Sequence, residues 1–222
     1  MVLPPHIGLY GLAAAKQYHE QHPEDALVIL DYASSIGGVW AEHRLYPGLK
    51  TNNMLGTYEY PDFPMKSSVF GVQPGQHPPG TAVHDYFEAY AKNAGIRNLI
   101  RCGTKVLSAH YQEDKGWELT VCPVADSDPN AVQGVESKIL TKRLIVATGL
   151  TSEPLIPHIE GQESFGKPLF HYKDFRKYAD TVDPVRTKRV TVFGGSKGGW
   201  DAVYAYGTKG VQVDWVVRGK RT

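Results

Sequence analysis

Of the 222 residues, 41% are hydrophobic and 21% are charged, the ordinary balance of a globular chain with room for one or two domains. Lys plus Arg total 24 against 23 Asp plus Glu, and a net charge of +1 gives no electrostatic reason to expect nucleic acid or an acidic membrane surface as a partner. Cys102 and Cys122 form no CxxC pair, which speaks against a disulfide framework and against the paired redox cysteines of a flavin disulfide reductase, and fits a reducing, cytoplasmic setting.

No apolar run reaches the roughly 18 residues of a membrane span. The start of the chain carries no basic cluster, and Pro4-Pro5 interrupts any signal-peptide core. The nine histidines are scattered without HExxH or Cys/His spacing, so no metal site is expected.

The first motif in the chain is Gly8-Leu9-Tyr10-Gly11, opening into Leu12-Ala13-Ala14-Ala15. In a dinucleotide turn of the form GxGxxG, the second glycine lets the backbone approach a pyrophosphate and the third lets helix and strand pack closely. Gly8 and Gly11 take those two places, whereas the first glycine would stand at position 6, where the chain has His6. Only five residues precede it, two of them prolines, so the strand leading into the turn is expected to be missing and FAD to be held poorly. Residues 11–22 predict a helix stopped by Pro23. Residues 26–31 predict a buried parallel strand ending in Asp31, about 20 residues after the turn, where an acid meets a ribose hydroxyl. Simple helix packing is the alternative for the Gly-x-x-Gly.

Residues 34–64, rich in Gly, Pro, Asn and aromatics, predict a long ordered loop, the kind of segment that carries function. Gly37 and Gly38 follow the acid-ended strand, where bare backbone could approach a flavin. Trp40 either lines that side or anchors a turn. Asn52, in Thr51-Asn52-Asn53, could set an amide beside an isoalloxazine ring or simply form a turn. Residues 81–94 predict a helix with an apolar face of Val83, Tyr86, Phe87, Tyr90 and Ala91, ending at Gly95. Residues 99–110, 116–121 and 135–140 predict a small antiparallel meander with a turn at 126–134. Residues 144–147 predict another buried strand, and 153–157, with two prolines, a linker.

The second glycine turn is Gly194-Gly195-Ser196-Lys197-Gly198-Gly199, between a strand at 189–193 and a helix at 200–208. Gly194 stands first, Ser196 replaces the second glycine with another small residue, and Gly199 stands third. The following strand, 211–217, ends at Arg218 instead of an acid. Arginine there can grip a ribose 2′-phosphate, which favours NADP over NAD. A solvated basic tail with Lys220 and Arg221 is the alternative. His171, flanked by aromatics, reads as structural.

In this order the pieces resemble the flavin-containing monooxygenases of the dimethylaniline monooxygenase type. The resemblance runs through Gly8-x-x-Gly11, Asp31, Gly37-Gly38-Val39-Trp40, Tyr46-Pro47-Gly48-Leu49-Lys50-Thr51-Asn52 and Tyr60-Pro61-Asp62-Phe63-Pro64. It continues through Ala147-Thr148-Gly149 to the second turn. The family identifier FxGxxxHxxx(Y/F) is matched at Phe165, His171 and Phe175, with Lys167 where the family often has glycine.

The resemblance implies an α/β chain of two Rossmann-like dinucleotide-binding units, both incomplete, with a small antiparallel β meander. Residues 1–149 would be a partial FAD-binding domain without its first strand, and 150–222 the first βαβ unit of an NADPH-binding domain, so the chain looks truncated at both ends. It further implies that NADPH reduces FAD, that O2 adds at the flavin C4a position as a hydroperoxide, and that one oxygen passes to a soft nitrogen or sulfur, or beside a ketone. Gly8, Gly11 and Asp31 would contact the ADP half of FAD. Gly37, Gly38 and Trp40 would line the flavin side, and Asn52 would sit at the reactive flavin. Gly194, Ser196, Gly199 and Arg218 would hold NADPH. The competing expectation is a catalytically silent remnant.

Overall fold

The computed structural model describes residues 2–3, 7–125, 133–149 and 154–219. The chain divides into two compact units, Met1–His43 with Lys50–Ser152, and Arg44–Leu49 with Glu153–Thr222. The inclusion of Arg44–Leu49 in the second unit was not anticipated.

In the first unit, β1 (Val2–Leu3), β2 (Val28–Leu30) and β3 (Ile100–Arg101) form a parallel sheet in that order. Val2 pairs with Val28 and Leu3 with Ile29. The first strand is therefore present, contrary to expectation, but only two residues long. His6 lies outside the described residues.

Helix α1 (Leu9–Gln21) starts two residues earlier than its pattern predicted and buries Gly11, Leu12 and Ala15. Helix α2 (Ser67–Phe70) is a single turn just after the long loop. Helix α3 (Gly80–Asn93) buries Ala82, Val83, Tyr86, Phe87, Tyr90 and Ala91, an apolar stripe at helical spacing. Gly95, at φ +69°, then reverses the chain.

The stripe on α3 receives the aromatic loop. Tyr60 stacks on Tyr90 at 3.9 Å between ring centroids. The Tyr86 hydroxyl accepts from the Tyr60 amide at 2.7 Å and donates to the Phe63 carbonyl at 2.6 Å. Tyr86 is fully buried, so Tyr86→Phe leaves both backbone groups without that partner. We expect a loss of roughly 1–3 kcal/mol in chemical denaturation, with the apolar packing of the ring retained.

The strand expected over 99–110 is two strands. It breaks at Cys102-Gly103, where Gly103 takes φ +67°. The Gly103 amide donates to the Ala33 carbonyl at 2.9 Å and the Thr104 amide to the Asp31 carbonyl at 2.8 Å. These bonds turn the chain from the parallel sheet into the meander of β4 (Thr104–Gln112), β5 (Gly116–Pro123) and β6 (Ser137–Thr141). Leu119 and Val121 of β5 pack with Leu30 of β2. The turn expected at 126–134 lies mostly outside the described residues.

Residues 144–147 do not form the expected strand. Leu144 packs against the Leu30 cluster, residues 145–149 join no ladder, and Val146 stays 65% exposed. An apolar run becomes a strand only where a neighbour offers its backbone.

The second unit is one βαβ element: β7 (Arg189–Phe193), α4 (Lys197–Gly207) and β8 (Gln212–Val216), with the strands parallel from Arg189↔Gln212 to Phe193↔Val216. Its core is Phe175, Tyr206 and Val211. Tyr46 accounts for the recruitment of Arg44–Leu49. Its ring lies 5.3 Å from Phe175, and its hydroxyl donates to Asp201 of α4 at 2.5 Å. No helix among the described residues is long and apolar enough to cross a membrane.

Candidate functional site

The first glycine turn and the Gly37-Gly38 turn meet backbone to backbone. Gly37 sits at φ +118° and Gly38 at φ +61°, a region that side chains other than glycine disfavour. The Gly37 amide donates to the Ile7 carbonyl at 2.8 Å. A Cβ on Gly38 would lie 3.0 Å from the Gly8 Cα, and one on Gly37 would lie 3.0 Å from the Trp40 carbonyl carbon and oxygen. Gly8 caps α1 without any side-chain hydrogen bond, and the first turn of α1 carries no acid. Neither a capping side chain nor a first-turn acid covers the amide-rich, positive end of that helix, a condition that suits a phosphate.

Gly11 faces inward, where an added Cβ would lie 3.0 Å from the Ile7 side chain. Trp40 closes the 3-10 turn Gly38–Trp40, is 9% exposed and donates from its indole to the Tyr58 hydroxyl at 2.6 Å. Burial holds the Tyr58 phenol above its ordinary range.

Asp31 lies at the end of β2, as its spacing predicted, but it is fully buried. One oxygen accepts from the Ile7 amide at 2.6 Å and the other from the Ala33 amide at 2.9 Å. The carboxylate thus ties the strand end to the glycine turn, a tether between residues 24 positions apart that spacing rules did not reveal.

Thr51 is buried, its amide donating to the Pro78 carbonyl at 2.9 Å and its hydroxyl to the Asn53 carbonyl at 2.5 Å. The ring of His77 meets the Thr51 carbonyl at 3.0 Å. This anchorage presents Asn52 and Asn53 to solvent.

At the second turn, Gly194 takes φ +108° and its amide donates to the Val216 carbonyl at 2.9 Å. The Trp215 indole donates to the Gly194 carbonyl at 2.8 Å, and its ring meets Trp200 edge-on at 4.7 Å. A Cβ on Gly199 would lie 2.3 Å from the Gly194 oxygen, the close helix–turn packing for which a third glycine is required. Gly198 is pressed by the Tyr172 ring, 2.5 Å from where its Cβ would be.

Ser196 caps α4 with no side-chain hydrogen bond, again with no acid in the first turn. Lys197, the first helical residue, is paired with Asp201. Arg218 is exposed just beyond β8. Lys220 and Arg221, the rest of the basic tail, lie outside the described residues.

Of the other candidates, His171 caps the 3-10 segment Tyr172–Val182, accepting from the Lys173 amide at 3.2 Å. Burial, before any charge, lowers its basicity. Burial, and then the nearby Asp31 charge, pushes the Cys102 thiol up to about 11, so it stays protonated at neutral pH. Cys102 and Cys122 are both free. No cluster of three metal-ligating side chains occurs among the described residues.

The sequence profile of the pyridine nucleotide-disulphide oxidoreductases matches residues 10–222. An FAD-dependent monooxygenase of Pyrenophora dematioidea is 38% identical over 220 residues, covering 95% of this chain and 38% of the relative. A trimethylamine monooxygenase of Pelagibacter sp. (strain HTCC7211) is 27% identical over 216 residues, covering 88% of this chain and 45% of the relative. The crystal structure of Tmm from Pelagibacter sp. strain HTCC7211 superposes with a TM-score of 0.78 at 25% identity, over 99% of this chain and 51% of that one. The chain thus spans less than half the length of the two curated relatives. By its profile, the chain belongs to the pyridine nucleotide-disulphide oxidoreductase family, and it is similar to part of several flavin-dependent monooxygenases.

Proposed function

We propose that this chain supplies the FAD site and part of the NADPH site of a monooxygenase that transfers one oxygen atom from O2 to a soft nitrogen or sulfur nucleophile, or beside a ketone. The observation that carries the reading is the close approach of Gly38 to Gly8 at the uncapped start of α1, a cradle that a single Cβ would fill. Gly8 and Gly11 would face the ADP half of FAD, with Asp31 beside its ribose and fixing the turn through the Ile7 amide. Gly37, Gly38 and Trp40 would line the flavin side. Gly194, Ser196, Gly199 and Arg218 would hold NADPH. When bound, FAD supplies hydride acceptance and oxygen activation; the residues here bind, orient and shield it.

The relatives extend the reading to substrate class, since one of them is a trimethylamine monooxygenase. Asn52, exposed on its anchored loop, would orient the reacting groups with an amide that both donates and accepts. The test is NADPH consumption with a tertiary amine, a thioether and a cyclic ketone, with the oxygenated product counted against NADPH used. Asn52→Ala should keep FAD content and flavin reduction while product per NADPH falls and hydrogen peroxide rises. Loss of FAD from the variant would mark Asn52 as a turn former, and unchanged coupling would leave it no part in the chemistry.

A further inference from the structure

The motif Tyr60-Pro61-Asp62-Phe63-Pro64 lies in the long aromatic loop of the first unit and bonds to both α1 and α3. On the α3 side, Tyr60 stacks on Tyr90 and its amide donates to the Tyr86 hydroxyl. The loop closes on itself, the Phe63 amide donating to the Tyr60 carbonyl at 3.1 Å. The Phe63 ring stands edge-on to Tyr90 at 5.7 Å. On the α1 side, the Tyr60 hydroxyl donates to the Leu9 carbonyl at 2.5 Å, and Asp62 pairs with Lys16. Tyr60 is buried, and burial holds its phenol well above the ordinary range, so the proton stays available to that carbonyl.

Leu9 is the first residue of α1 and follows Gly8, the glycine that Gly38 approaches. Two amides close that cradle, Leu12 donating to the Gly8 carbonyl at 3.0 Å and Gly37 to the Ile7 carbonyl at 2.8 Å. Both bonds are local to the two turns. The Tyr60 bond instead ties the first residue of α1, through a buried and stacked ring, to the α3 side of the unit. A tyrosine has only two side-chain torsions, so a stacked ring fixes where its hydroxyl stands. The far end of α1 is held separately: the Tyr18 hydroxyl donates to Asp25 at 2.5 Å, and Arg143 donates to both.

We propose that Tyr60 is a positioning residue for the first glycine turn. Its hydroxyl, acting through the Leu9 carbonyl, sets the start of α1 against the Gly37-Gly38 turn and so shapes the cradle for the diphosphate of FAD. This role rests on the FAD reading of that turn and gives the Tyr60–Pro64 motif a task in it. Tyr60→Phe keeps the ring and removes the donor. Tyr18→Phe removes the same kind of bond at the other end of the same helix and is the control. Amide hydrogen exchange is followed on the whole chain without nucleotide, and FAD affinity by quenching of flavin fluorescence.

In Tyr60→Phe the amides of Leu12 and Gly37 should exchange roughly 2- to 12-fold faster, and FAD should bind more weakly by a similar factor. Tyr18→Phe should match the native chain in both, even where its melting temperature falls as far. A loss of stability alone would move the two variants together. Exchange at Leu12 and Gly37 unchanged in Tyr60→Phe, or raised equally in Tyr18→Phe, overturns the role. So does faster exchange with FAD held as tightly as by the native chain. Faster exchange in Tyr60→Phe when even the native chain binds no FAD upholds the brace on the turn and sinks the FAD reading. If Tyr60→Phe does not fold, Asp62→Asn decides. By freeing Lys16 from the same loop it should shift both readouts in the same direction by a smaller factor, and no shift overturns the role.

Discussion

Gly199→Ala is expected to destabilise the second unit and abolish NADPH binding together. The added methyl would lie 2.3 Å from the Gly194 oxygen and 3.2 Å from its carbonyl carbon, both backbone atoms. That oxygen is already held by the Trp215 indole at 2.8 Å, and the Gly194 amide by Val216, so the turn has nowhere to retreat. Helix α4 must move away from it. Overpacking of this kind costs ~1–3 kcal/mol. In a chain of this size that is a fall of roughly 2–12 °C in melting temperature. Gly207, in the same helix, has nothing within 4 Å of an added Cβ. Gly207→Ala should therefore raise stability by roughly 0.5–1 kcal/mol through helix propensity. Thermal melts of the two variants with opposite signs, and NADPH retained only by the second, are the expected pair. A Gly199→Ala chain as stable as the native one would mean that the helix start is looser than its packing implies.

Gly38→Ala should cost the first unit its flavin. The residue sits at φ +61°, and its added Cβ would approach the Gly8 Cα at 3.0 Å and the Gly8 nitrogen at 3.3 Å. The left-handed backbone alone costs about 1–2 kcal/mol. Separating the two turns adds to that and deforms the cradle, so FAD affinity should fall at least tenfold, about 1.4 kcal/mol. Gly95→Ala isolates the backbone contribution, since Gly95 has φ +69° and nothing within 4 Å. That variant should lose stability but keep FAD. Quenching of flavin fluorescence by the three proteins decides the matter: equal affinity for FAD in both variants would show that the approach of Gly38 to Gly8 plays no part in binding.

The elements legible in the sequence are those set by local rules. The apolar stripe of α3 recurs at helical spacing and is buried where it was expected. Strands β2, β7 and β8 lie within their apolar runs. Gly199 packs against the turn as a third glycine should.

What escaped depends on partners distant in the chain. A strand of two residues, Val2–Leu3, is too short for any periodicity and exists because β2 offers its edge. The break at Cys102-Gly103 interrupts a run that reads as continuous, and it is fixed by the carbonyls of Ala33 and Asp31, some 70 residues upstream. Tyr46 draws Arg44–Leu49 into the second unit through Asp201, 155 residues away. The tether from Asp31 to the Ile7 amide, and the enclosure of Arg44, are likewise products of packing. Spacing placed the two turns and the residues around them; it carried no information on what each side chain touches.

We propose that the chain holds two separate nucleotide sites, one for FAD at Gly8 and Gly38 and one for NADPH at the turn before α4. Calorimetric titration of the purified chain with each nucleotide, alone and in the presence of the other, tests it most directly. Two independent one-to-one sites are predicted, with Gly38→Ala silencing the FAD site alone and Gly199→Ala the NADPH site alone. Competition between FAD and NADPH for one site, or no heat of binding with either, would contradict it.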